Sequence, residues 1–130
     1  MLVDDNDDDN FYHQRVIRRS EAADKVVLHN SAETALQHLR FPGQSSQPLP
    51  AILFLDINMP GMNGWDFIEE YSTLDKDLRA GIFIVMLTTS ESPDDSQRAK
   101  DIDAIADFRT KPLTQIMLAE ILEKYHRAIA

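Results

Sequence analysis

One stretch constrains this chain more than any other: Ala51 to Gly64, AILFLDINMPGMNG. Five apolar residues, Ala51, Ile52, Leu53, Phe54 and Leu55, run without a polar break and stop at Asp56. Turn formers follow at Asn58, Pro60, Gly61, Asn63 and Gly64. A short unbroken apolar run bounded by turn signals fits a strand buried on both faces. Strands of that kind belong to parallel sheets covered by helices. In open parallel sheets, ligands bind beyond the carboxyl ends of the strands. Asp56 is therefore expected at the mouth of that crevice.

The rest of the chain supplies the neighbours such a strand needs. Met1 to Val3 gives a short first strand ending in Asp4 and Asp5. Asp7 to Asp9 places negative charge in the first turn of a helix running to about Ser20, where the helix dipole favours it. Tyr12, Val16 and Ile17 form its expected buried side, with Arg15, Arg18 and Arg19 in water. Lys25 to His29 is the expected second strand. Asn30 and Glu33 resemble a capping pair for a helix whose Ala32, Ala35, Leu36 and Leu39 make one apolar stripe. Phe41 to Pro50, with three prolines, a glycine and two serines, is a loop. Asn63 caps a third helix with Phe67, Ile68, Tyr71 and Leu74 inward.

Ile82 to Leu87, IFIVML, is the fourth strand, ending in Thr88, Thr89 and Ser90. Ser92 and Pro93 open a fourth helix as cap and first residue. It carries little apolar surface beyond Ala99 and Ile102. Ala104 to Phe108 is a fifth strand, followed by Thr110, Lys111 and Pro112. A fifth helix from about Thr114 sets Met117, Leu118, Ile121, Leu122 and Tyr125 at helical spacing. Strand then helix, five times over, predicts an α/β fold with a parallel sheet, right-handed crossovers and helices on both faces.

Composition narrows the function classes. The 130 residues suit a single domain. A net charge of −9 argues against unaided binding to nucleic acid or to an anionic membrane. No apolar run is long enough to cross a bilayer, and the acidic start cannot be a secretion signal. The absence of cysteine excludes disulfides and thiolate metal sites, and fits a reducing cytoplasm.

The doubly wound order brings the strand ends together: Asp4 and Asp5, Asp56, Thr88 and Lys111. Gathered carboxylates raise one another's pKa. A hard divalent cation relieves this, and oxygen ligands with room for water suit Mg2+. A carboxylate beside bound Mg2+ can attack a phosphoryl group and hold it as an acyl phosphate, with Lys111 and Thr88 neutralising its oxygens. No general base is poised to activate water, because His13, His29, His38 and His126 fall on elements away from these loops. Asp4, Asn6 and Asp8 also hint at a calcium loop, but Asp9 stands where glycine is needed and Arg15 where the bidentate acid belongs.

Asp4-Asp5, Asp56 within LDINMPGMNG, Thr88 after IVML, and Lys111-Pro112 resemble, in order and spacing, the receiver domain of two-component response regulators. The resemblance covers essentially the whole chain. It implies a flavodoxin-like sheet of order 2-1-3-4-5 with five helices and Asp56 as phosphoacceptor. Mg2+ would be bound by Asp5, Asp56 and the main-chain carbonyl of Asn58, with Asp4 acting through water. Thr88 and Lys111 would contact the phosphoryl group, Phe108 would be the switch aromatic, and the Lys111–Pro112 bond would be cis. The implied protein is a switch rather than an enzyme. A sensor histidine kinase or histidine phosphotransfer protein would phosphorylate it. It would signal to an effector protein through its fourth helix, fifth strand and fifth helix, as a cytoplasmic monomer or weak dimer. Two departures stand out: the first strand is short, and Phe108 replaces the tyrosine common at the switch position.

Two other classes compete with this one. An aspartate-nucleophile phosphatase of the haloacid dehalogenase type needs an acid two residues beyond the nucleophile, and Asn58 occupies that position. A receiver-like module that binds its partner without phosphorylation would not need the intact acids.

Overall fold

β3 (Ile52–Leu55) and β4 (Phe83–Thr88) form the middle of the sheet, paired in parallel with Ile52 opposite Phe83 and Leu55 opposite Met86. The computed structural model describes residues 1–129. β1 (Leu2–Val3), β2 (Leu28–His29) and β5 (Ile105–Thr110) complete five parallel strands in the order β2-β1-β3-β4-β5. This is the doubly wound flavodoxin-like arrangement.

Alternation along the strands explains the two layers. Leu53, Leu55, Ile84 and Met86 join one core cluster with Leu36 and Leu39 of α2 (Ala32–Arg40), Phe67, Ile68 and Tyr71 of α3 (Gly64–Tyr71), and Ala99 of α5 (Pro93–Lys100). Phe54, Val85 and Leu87 point the other way. They pack with Val16 and Ile17 of α1 (Asp7–Arg19) and with Leu118 and Ile121 of α6 (Gln115–Ile129). Burial on both faces is why β3 and β4 read as unbroken apolar runs.

Several boundaries differ from the expectation. An extra single turn, α4 (Lys76–Ala80), lies between α3 and β4, so the described residues hold six helices, five of them long. Its Asp75 cap accepts from Asp77 N at 2.8 Å, and the turn has no apolar stripe to mark it in the sequence. β2 pairs only over Leu28–His29, because its partner β1 offers only Leu2 and Val3. A 3-10 turn, Pro42–Gln44, interrupts the Phe41–Pro50 loop.

On α1 the buried residues are Asn10, His13, Val16 and Ile17, while Tyr12 is exposed. The α2 cap is Ser31, whose Oγ accepts from Thr34 N at 3.2 Å. Glu33 instead accepts from Met62 N at 3.1 Å, tying α2 to the loop after β3. No helix among the described residues is long and apolar enough to cross a membrane.

Asn63 caps α3 as expected, in a full capping box: Asn63 Oδ1 accepts from Asp66 N at 2.9 Å, and Asp66 Oδ2 accepts from Asn63 N at 3.0 Å. Asn63→Ala is expected to cost about 1 kcal/mol in chemical unfolding. A cost below a few tenths would show that this box does not anchor the helix.

Candidate functional site

The sheet register brings the polar strand ends to one edge. Val3 lies opposite Leu55, and Asp56 N donates to Val3 O at 3.0 Å, so the residues after β1 and β3 stand side by side. Thr88 lies opposite Thr110, and Lys111 N donates to Thr88 O at 2.7 Å. This brings Lys111 to the end of β4. The Lys111–Pro112 bond is cis, as the resemblance implied.

Carboxylate oxygens of Asp4, Asp5 and Asp56 lie within 4.8 Å of one another. Asp4 and Asp56 are buried and Asp5 is exposed. Asp4 is fixed by local bonds: its Oδ1 accepts from Asn6 N at 3.0 Å, and its carbonyl accepts from Asn10 Nδ2 at 2.8 Å. Lys111 Nζ donates to Asp4 Oδ2 at 2.6 Å and to Asp9 Oδ2 at 2.8 Å, and stands 3.6 Å from Asp56 Oδ2. Asp56 Oδ1 is buried with no hydrogen-bond partner among the described residues.

The group opens into a cleft of about 640 Å³ lined by Asp5, Asp9, Asp56, Asn58, Thr89 and Lys111 among others. Asn58 is exposed there, placing its backbone at the rim. Thr88 is fully buried at the end of β4. Its Oγ1 accepts from Ser90 N at 3.3 Å, and its hydroxyl is a polar contact of Asp56.

Burial, followed by the charge of Asp4, pushes the Asp56 pKa above the usual carboxylate value. Lys111 and polar contacts from Thr88 and the Ile57 amide oppose this only in part. For Lys111 burial pulls downward, but hydrogen bonds to Asp4 and Asp9 and the charges of Asp56 and Asp4 outweigh it and raise its pKa. Lys111 therefore stays a cation. An all-oxygen acid cluster with an unpartnered buried carboxylate oxygen fits a hard divalent cation.

Phe108 is half-buried against the core. It lines a separate pocket of about 320 Å³ with Ser96, Ala99, Lys100, Ile105, Asp107 and Lys124. That pocket lies on the face formed by α5, β5 and α6. Only Ala99 of α5 is buried, in line with its sparse apolar content. Arg98 of the same helix sits over the Trp65 ring at 4.4 Å.

Sequence reasoning missed three residues here. Asp9 stands in the sequence as helix-start charge and as a break in the calcium-loop pattern, yet it grips Lys111. His13 was placed away from the site, yet it is buried where Lys111, Asp9 and Asp4 all act on it, and burial lowers its pKa. Its i, i+3, i+4 relation to Val16 and Ile17 was the available signal. Gly64 was read as a turn residue. A Cβ there would stand 2.5 Å from the carbonyl oxygen of Asp56, so α3 can start against the Asp56 loop only with glycine.

The model of one family, the response regulator receiver domain, matches residues 1–123. The chain belongs to that family. Among solved structures, the receiver is similar to a two-component response regulator from Cytophaga hutchinsonii, at 28% identity and a TM-score of 0.88, covering 97% of this chain and 94% of that one. It is also similar to a response regulator receiver protein from Dyadobacter fermentans, at 30% identity and a TM-score of 0.83, covering 96% and 94%. Among curated proteins it resembles the probable methanogenesis regulatory protein FilR2 of Methanothrix harundinacea, 29% identical over 114 residues, covering 88% of this chain and 72% of the relative.

Proposed function

We propose that residues 1–130 form one receiver unit that accepts a phosphoryl group on Asp56 from the phosphohistidine of a sensor kinase or phosphotransfer protein. The observation that carries this reading is the convergence of Asp4, Asp5 and Lys111 on Asp56 at the mouth of an open cleft. Asp4, Asp5, Asp56 and the Asn58 carbonyl would hold Mg2+. When bound, the cation offsets the carboxylate charge and that of the incoming phosphoryl oxygens.

Asp56 is the nucleophile, its carboxylate oxygen forming the new bond to phosphorus as the bond to the donor nitrogen breaks. Lys111 supplies positive charge to the phosphoryl oxygens, and Thr88 turns its hydroxyl proton toward them. Movement of Thr88 vacates space beside β4, and Phe108 responds by changing its burial. The thinly anchored α5 then shifts with β5 and α6, presenting a new face to a cytoplasmic effector protein. This is a two-state equilibrium biased by new charge-assisted contacts. Asn58 cannot donate a proton to a leaving group, so the site suits holding a phosphoryl group rather than rapid turnover.

Treatment with acetyl phosphate and Mg2+ is expected to add a single phosphoryl group, located to Asp56 by peptide mass mapping. No mass gain, or a gain that persists in Asp56→Asn, would overturn the assignment.

A further inference from the structure

Lys111 has two carboxylates at hydrogen-bond distance, Asp4 and Asp9 at 2.6 and 2.8 Å, and the family resemblance carries over only the first. Asp9 lies in the first turn of α1. Its own amide is bound by the cap, with Asn6 Oδ1 accepting from Asp9 N at 3.0 Å. The carboxylate is thus presented from a fixed backbone. The Lys111 side chain is only 8% exposed, so its ammonium depends on these partners in place of water. Two of its three N–H groups are engaged by Asp4 and Asp9, while Asp56 stands beyond hydrogen-bond distance at 3.6 Å.

We propose that Asp9 is a positioning residue that competes with the phosphoryl group for Lys111 and holds the ammonium back toward α1. The inference rests on the phosphoacceptor reading above. A phosphoryl group on Asp56 needs Lys111 to move from its present partners toward the new oxygens. Asp4 belongs to the three-acid cluster, so a bound cation shares its charge and loosens its hold on Lys111. Asp9 lies outside that cluster and keeps its full charge. Its bond to Lys111 is charge-assisted, the stronger class of hydrogen bond, and must be given up when the phosphoryl group arrives. Asp8, its neighbour on α1, lines the same cleft but is exposed and makes no ion pair with Lys111. It therefore shows what loss of a nearby charge does by itself.

The test is titration of the Mg2+-saturated protein with beryllofluoride, a phosphoryl analogue, followed by calorimetry. Asp9→Asn is expected to bind about 3- to 10-fold more tightly than wild type, the size of one charge-assisted bond that need not be broken. Asp9→Ser, which also removes the carboxylate and suits a helix start, should show the same gain. Asp8→Asn should change affinity by less than about twofold. A purely structural role for Asp9 gives weaker binding in both Asp9 variants, and that result overturns the inference. So does unchanged affinity, or an equal gain in Asp8→Asn, which would trace the effect to general charge. Absence of binding in wild type, or binding retained in Asp56→Asn, would instead sink the phosphoacceptor reading.

Discussion

Asp56→Asn is expected to abolish phosphoryl uptake and, without divalent cations, to raise the melting temperature by a few degrees, on the order of 1 kcal/mol. The two effects share one cause. Asp56 is a carboxylate held 6% exposed, with Oδ1 unpartnered and Asp4 within the same acid cluster. Burial and that neighbouring charge raise its pKa, and Lys111 at 3.6 Å compensates only in part. The folded state thus binds a proton at Asp56 more readily than the unfolded state does. Ionised Asp56 costs stability at any pH above its folded-state pKa, and this cost is relieved as pH falls through that value toward the ordinary 3.8.

Differential scanning calorimetry at a series of pH values checks the sign. The advantage of Asp56→Asn should be full above the folded-state pKa of Asp56 and should shrink as pH falls through it toward 3.8. Added Mg2+ should close the same gap, because a ligand held at the acid cluster stabilises wild type by mass action. A variant less stable than wild type at neutral pH in chelator would show that Lys111 outweighs burial.

Gly64→Ala is expected to destabilise the fold by about 1–3 kcal/mol and to disturb the acid cluster as well. Elsewhere in an exposed helix the same change is usually favourable, since alanine is the better helix former. Here the added Cβ would meet Asp56 O at 2.5 Å and Ile57 Cα at 2.8 Å. These obstacles are main chain and cannot rotate aside. Gly64 N also donates to Ile57 O at 2.8 Å, so the start of α3 is bonded to the backbone it would collide with. Relief requires α3 to lift from the end of β3, which shifts the carbonyl of Asp56 and the loop carrying Asn58. Urea unfolding and beryllofluoride affinity should both fall. A variant as stable as wild type with unchanged affinity would mean that the loop yields at little cost.

Much of this protein was legible in its linear order because the information is local. An apolar run that halts at Asp56 can be read without knowing its neighbours, and so can the IFIVML run before Thr88. Both strands are buried on both faces, which removes the choice of which side faces water. The Asn63 and Ser92 caps depend on contacts three residues away and were equally readable.

Where two local patterns competed, only packing decided. On α1, Tyr12 and His13 both sit one turn from apolar residues. The docking of α1 beside β3, β4 and α6 selected His13 and left Tyr12 in water. Strand length was likewise set by the partner: Val26 and Val27 have strand character, yet β2 extends only as far as β1 accompanies it. The bond between Asp9 and Lys111 joins residues 102 apart, and the contact of Gly64 with Asp56 depends on how a helix meets a strand end. Periodicity tells a residue which face of its own element it occupies. Which side chain it meets there depends on how the elements converge, and only the folded chain determines that.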